Sequence, residues 1–148
     1  MSEWASKKRG ILDGHVHMGS IAEEASMLRI LEATGAEKMN LLSIQNPSQG
    51  TGLPQSFLMK ARHPRQFYIF AGLNHAGKMS GGRVSVPPLE QQVDAFVSLG
   101  CEGIKMIDKP TFRRMMNVPV TDPYYAAYWA RVEELGLPIV WHVNDPEE

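Results

Sequence analysis

The chain has 148 residues, 43% of them hydrophobic and 21% charged, with 15 basic side chains against 16 acidic ones. That length and apolar content suit one globular domain with a real core and argue against disorder. The formal net charge of −1 gives no electrostatic case for binding nucleic acid or anionic lipid.

A single cysteine, Cys101, excludes an internal disulfide and fits a reducing compartment. The opening MSEWASKKRG has no apolar run of the secretory type, and no stretch approaches the ~20 apolar residues of a membrane span. A cytoplasmic location and no membrane partner are therefore expected.

Strands and helices alternate along the whole chain. Residues 11–18, ILDGHVHM, read as a strand, and Gly19-Ser20 opens a helix with Ile21, Ala25, Leu28 and Leu31 on one face, ended by Gly35. A second strand spans 39–44 and runs into a polar loop at 46–50. A helix from about Pro54 to Arg62 stops before Pro64. The third strand, 67–73, leads to a flexible loop containing Gly77, Gly81 and Gly82. Pro87-Pro88 start a helix striped by Leu89, Val93, Phe96 and Val97 and capped by Gly100. Strand four is 103–107. After a basic loop at 109–114, Asp122-Pro123 cap a helix with Tyr125, Trp129, Val132 and Leu135 on one side, ended by Gly136. Residues 137–143 form a fifth strand.

Four strand–helix units plus a fifth, near-continuously apolar strand specify a parallel sheet covered by helices. An open doubly wound sheet and a barrel both satisfy this order, although the first turn lacks the glycine pattern of a dinucleotide site.

The chemistry concentrates at strand ends. In Asp13-Gly14-His15-Val16-His17, residues two apart share a strand face, so His15 and His17 point one way with Asp13 behind them. Two imidazoles so placed can grip one divalent cation, most simply zinc, without a thiolate; the plain alternative is a histidine pair satisfied by local hydrogen bonds. On strand five, Val140, His142 and Asn144 share a face, which makes His142 the natural third ligand and leaves a coordination position open for water. Lys105 interrupts an apolar strand, where an unpaired ammonium is costly. It is read as a substrate-carboxylate anchor, as the partner of an acid, or, if carbamylated, as a bridge between two metals. Asn46, Asn74, His75 and Asn144 stand where they can line a substrate pocket, although each is also an ordinary loop residue. The stretch Phe112-Arg113-Arg114-Met115-Met116 reads as a solvated loop able to cover the site, and His63 as structural.

Taken in order, Asp13-Gly14-His15-Val16-His17, Gly103-Ile104-Lys105-Met106 and Leu137-Pro138-Ile139-Val140-Trp141-His142 resemble the amidohydrolase-related family, the branch of the amidohydrolase superfamily that includes aminocarboxymuconate-type decarboxylases. The resemblance runs from strand one through strand five. It implies a partial (β/α)8 TIM barrel, with residues 1–148 as the amino-terminal part of a single barrel. It also implies His15 and His17 as strand-one metal ligands, His142 as the strand-five ligand, and Lys105 at the strand-four lysine position. A histidine on strand six and an aspartate on strand eight complete the family pattern. Full barrels take about 250 residues, so the chain is expected to be a truncated piece, incomplete for catalysis.

The implied activity is attack of metal-activated water on an amide, ester or lactone-like carbonyl of a small, carboxylate-bearing substrate. Decarboxylation within the same family is the alternative. Metal-dependent deoxyribonucleases rank lower because they carry a glutamate at the position of Lys105; histidinol-phosphatase-type phosphoesterases use more histidines than are found here. A further option is a non-catalytic half-barrel acting through self-association as a homo-oligomer, or through a partner chain.

Overall fold

A computed structural model describes residues 10–46, 50–108, 116 and 118–143. Its strands are β1 (Ile11–Val16), β2 (Ala36–Ser43), β3 (Gln45–Asn46), β4 (Gly50–Thr51), β5 (Phe67–Gly72), β6 (Gly103–Asp108) and β7 (Ile139–Val143). Its helices are α1 (Glu24–Thr34), α2 (Leu53–Arg62), α3 (Ala76–Met79), α4 (Leu89–Ser98) and α5 (Ala126–Leu135). Strands β1, β2, β5, β6 and β7 form one sheet in that order, every neighbouring pair parallel, while β3 and β4 make a small antiparallel hairpin.

Strand order therefore follows chain order. A doubly wound sheet reverses its order at a switch point and places helices on both faces. Here successive crossovers keep the helices on one face, and the sheet curls away from them as a half-barrel.

Register identifies the two faces. Met39, Leu41, Phe67, Ile69, Ala71, Ile104 and Met106 point to the helices and are nearly all inaccessible to solvent. Around β5 and β6 they pack with Leu89, Val93 and Phe96 of α4 and with Tyr128 and Val132 of α5. Around β2 they pack with Met27 and Leu31 of α1 and Met59 of α2. The opposite, concave face carries Asn40, Leu42, Tyr68, Phe70, Lys105, Ile107, Val140 and His142. Gly103 also lies there, because a Cβ at that position would sit 2.6 Å from the Phe70 ring.

Several helix faces differ from the sequence reading. Ser20 caps a 3₁₀ turn, Ile21–Glu23, by accepting a hydrogen bond from Ala22 N, and α1 begins only at Glu24. The tighter turn advances the helical phase, so Met27 and Leu31 are buried, Ile21 and Leu28 are half-buried, and Ala25 is exposed. In α4 the buried stripe takes in Gln92 and leaves out Val97, which is 37% exposed. In α5 the deepest residue is Tyr128, absent from the predicted stripe, while Trp129 and Leu135 are only partly buried. The loop after β5 contains the one-turn helix α3, and Gly136 ends α5 in the left-handed conformation at φ +61°. The loop at 109–114 lies outside the described residues, as does most of the stretch 112–116; Met116 is buried. Among the described residues no helix is long and apolar enough to cross a membrane.

Tyr128 has a fully buried ring, yet its hydroxyl has no hydrogen-bond partner among the described residues. Tyr128→Phe removes only the orphaned hydroxyl and is expected to leave stability unchanged or raise it by up to about 1 kcal/mol. Tyr128→Ala leaves a cavity and should cost about 3–5 kcal/mol. Urea-unfolding midpoints of the two variants measure the contrast.

Candidate metal centre and adjoining cavity

The β1 strand is not regular where its histidines lie. Asp13 sits opposite Met39 and Val16 opposite Leu41, so three steps along β1 match two along β2. Such a bulge bends the strand and re-aims its side chains. The strict alternation that put Asp13 behind the histidines therefore does not hold; the Asp13 carboxylate instead accepts the His15 backbone N–H at 3.2 Å.

Val16 packs towards the helix-side core, and His15 and His17 lie on the other side of the strand. Their Nε2 atoms are 3.2 Å apart. His17 Nδ1–H donates to the Leu42 carbonyl at 2.9 Å, which leaves the His17 Nε2 lone pair facing His15. Two metal–nitrogen bonds of about 2.0–2.1 Å at a tetrahedral angle would hold ligand nitrogens about 3.3 Å apart. The pair matches that spacing, and the Leu42 contact is the kind of outer hydrogen bond that fixes a ligating tautomer. The residues present fit two ligands of one divalent ion.

His142 is exposed on the concave face at the β7 edge, opposite Ile107. Partial burial, then the positive charges of Lys105, His17 and His142, push the His15 pKa down, and Asp13 opposes them. His142 thus lies within electrostatic reach of His15. Among the described residues, however, no three His, Cys, Asp or Glu side chains are close enough together to hold an ion.

Lys105, on the concave face opposite Gly72 and Val140, is 2% exposed, and its ammonium has no hydrogen-bond partner among the described residues. Burial lowers its pKa. It borders a cavity of about 20 Å³, room for roughly one water, shared with His75, Ile107 and Tyr125. The structure thereby brings together Lys105 and His75. His75 Nδ1 is 3.0 Å from the Tyr124 hydroxyl, burial holds its pKa at about 4, and burial lifts that of Tyr124 to about 12. Both rings are neutral near pH 7. The Asn46 side chain and the whole of Asn144 lie outside the described residues. His63 bonds Glu24 at 2.7 Å and ties α2 to α1.

Gln92 was overlooked as a site residue. Its Oε1 accepts from Asn74 N at 2.7 Å, and its Nε2 donates to the carbonyls of Asn74 and Pro87 at 3.0 and 2.8 Å. That clamp sets the turn carrying His75. The signal was present: Gln92 falls at the i, i+3 position of the Leu89, Val93, Phe96 stripe, where a polar residue is buried and must be bonded.

No protein-family model and no curated protein sequence matches the chain. Solved structures match its fold. One is described as a probable 2-pyrone-4,6-dicarboxylic acid hydrolase from Acinetobacter baumannii with citric acid bound (TM-score 0.63, 14% identity, 91% of this chain and 50% of that one). Another is a 4-oxalomesaconate hydratase from Rhodopseudomonas palustris (TM-score 0.61, 14% identity, 90% and 52%). The likeness is one of fold. The chain spans about half the length of either enzyme, and its sheet corresponds to a partial TIM barrel.

The His75 environment has a pH consequence. Its folded pKa, about 4, lies below the ordinary value of about 6.5. The unfolded chain therefore binds the extra proton first, and the stability present above pH 6.5 is lost as pH falls towards 4. His75→Phe should flatten the wild-type decline in unfolding free energy across that window. Parallel curves for the two proteins would show that His75 does not titrate this way.

Proposed function

We propose that the chain is the amino-terminal half of a metal-dependent hydrolase of the amidohydrolase type, acting on a small carboxylate-bearing molecule. The observation that carries this reading is the convergence of the His15 and His17 Nε2 atoms to 3.2 Å, with the far nitrogen of His17 tied to a backbone carbonyl. His15 and His17 would hold the ion, and His142 of β7, on the same face but not close enough in this structure to complete a set of three, would have to close on it as the third ligand. A divalent ion bound there would polarise a substrate carbonyl and bring the pKa of water towards neutrality.

The remaining roles belong to the chain itself. The Leu42 carbonyl keeps the His17 ring in the tautomer whose Nε2 is free to ligate. Burial and the neighbouring positive charge of Lys105 lower the His15 pKa, which favours the neutral form that a ligand needs. Lys105, buried and without a hydrogen-bond partner among the described residues, would anchor a substrate carboxylate through a charge-assisted hydrogen bond. His75, hydrogen-bonded to the Tyr124 hydroxyl, adds a neutral polar ring to the same cavity. The structural neighbours support an acidic substrate: one is named for a dicarboxylic acid and holds citric acid.

A second reading, self-association as a half-barrel, is favoured by the sheet edges. β1 and β7 each have one neighbour, and Ile11, Leu12 and Val143 on them are 56%, 49% and 65% exposed. A monodisperse monomer in light scattering would remove it.

Zinc binding by the purified chain tests the main reading. His15→Ala and His17→Ala should each weaken it by more than about 100-fold, beyond the usual cost of losing an outer-shell partner, and His142→Ala should weaken it measurably. Equal zinc content in all three variants would end the proposal. Lys105→Met removes a positive charge that acts on His15, so it should leave zinc affinity no weaker than wild type, and it should weaken citrate binding to the metal-free chain by about 10- to 100-fold, the worth of a hydrogen bond to a charged group.

A further inference from the structure

Asn40 lies in the middle of β2 on the concave face and is 4% exposed. Its Nδ2 donates to the Gly14 carbonyl at 3.3 Å, and its Oδ1, also buried, has no partner among the described residues. A buried amide with one end unbonded is a net cost to the fold, so its one contact invites explanation. That contact lands on the bulge, on the carbonyl immediately before His15.

The bulge takes backbone groups of β1 out of the regular ladder. Local side chains compensate: Asp13 accepts the His15 N–H, and Asn40 donates to the Gly14 carbonyl. Two residues further along β2, the Leu42 carbonyl takes the His17 ring. β2 therefore grips the His-x-His segment at both ends, once through the Asn40 side chain and once through the Leu42 backbone. On a regular strand the α-carbons of two residues i and i+2 stand about 6.6 Å apart, so the two rings must lean towards each other to bring their Nε2 atoms to 3.2 Å, and the register shift between Asp13 and Val16 lies directly beneath them.

Gly14 is not what forces the bend. Its φ is not among the positive values, and a Cβ there would meet only Leu12 Cδ2, at 3.9 Å. An alanine fits the same backbone.

We propose that Asn40 is a positioning residue: by carrying the Gly14 carbonyl it sets the β1 bulge that brings the His15 and His17 Nε2 atoms together. The inference rests on the reading of His15 and His17 as a ligand pair, but its immediate consequence, the meeting of the two rings, exists without metal. Asn40→Leu keeps the branched outline of the side chain, removes the buried acceptor and deletes the donor. Asn40→Asp is nearly isosteric and, ionised, has only acceptors, so it loses the same bond if the leucine variant does not fold.

The experiment is NMR of the histidine rings in the metal-free 148-residue chain, followed by titration with Co2+ alone. Both Asn40 variants should lose the ring-to-ring NOE between His15 and His17 and bind Co2+ about 10- to 100-fold more weakly. Gly14→Ala, and Ser56→Ala, which breaks the buried Ser43–Ser56 hydroxyl pair, should keep the NOE and stay within about twofold of wild type in Co2+ affinity, as independent sites do. A folded Asn40 variant that retains the NOE overturns the inference, whatever its Co2+ affinity. Loss of the NOE in a chain whose Co2+ binding ignores His17→Ala would uphold the positioning role while refuting the metal site.

Discussion

One-sided burial of a curled parallel sheet is the constraint from which the rest of this molecule follows. The helices cover only the face carrying Met39, Leu41, Ile69, Ala71, Ile104 and Met106. Because strand side chains alternate, every polar residue between those positions is delivered to the concave side. His15, His17, Lys105 and His142 reach that side for the same reason that their apolar neighbours reach the core. The chemistry of the chain and its stability are two faces of one hydrogen-bonded sheet.

The buried polar groups divide into two kinds. Gln92 is fully used: three hydrogen bonds to the Asn74 and Pro87 backbone compensate its desolvation and fix the turn that carries His75. Lys105 and half of Asn40 have no partner among the described residues, and each sits on the concave face. An unpaired ammonium in an apolar strand is a cost that a folding argument alone does not justify, and a ligand that pairs with it would recover that cost on binding. The Tyr128 hydroxyl, also without a partner among the described residues, is different in kind, since its ring belongs to the helix-side core, beside the rings of Tyr125 and Trp129.

Much of the architecture was legible in the residue pattern, and the misses share a cause. The five strands were found because long apolar runs between glycines and prolines are strong local signals. The helix faces drifted where local hydrogen bonding intervened: Ser20 tightened the entry to α1 into a 3₁₀ turn, and on α4 the hydrogen-bonded Gln92 joins the buried stripe while Val97 stays outside it. The barrel reading, as against an open sheet, came from the resemblance carried by three motifs; sheet order supplied the structural ground for it.

The sequence by itself determined the alternation of strands and helices, the pairing of His15 with His17 along one segment, and the placing of Lys105 within the fourth long strand and His142 near the end of the fifth, because each is a matter of spacing along a chain of known periodicity. Only the tertiary structure decided which side of the sheet the helices cover, that β1 carries a bulge, that β2 offers the Asn40 amide to the Gly14 carbonyl and the Leu42 carbonyl to the His17 ring, and that His75 shares a cavity with Lys105. Those depend on contacts between segments roughly 25 to 50 residues apart, set by register and packing that no local pattern encodes.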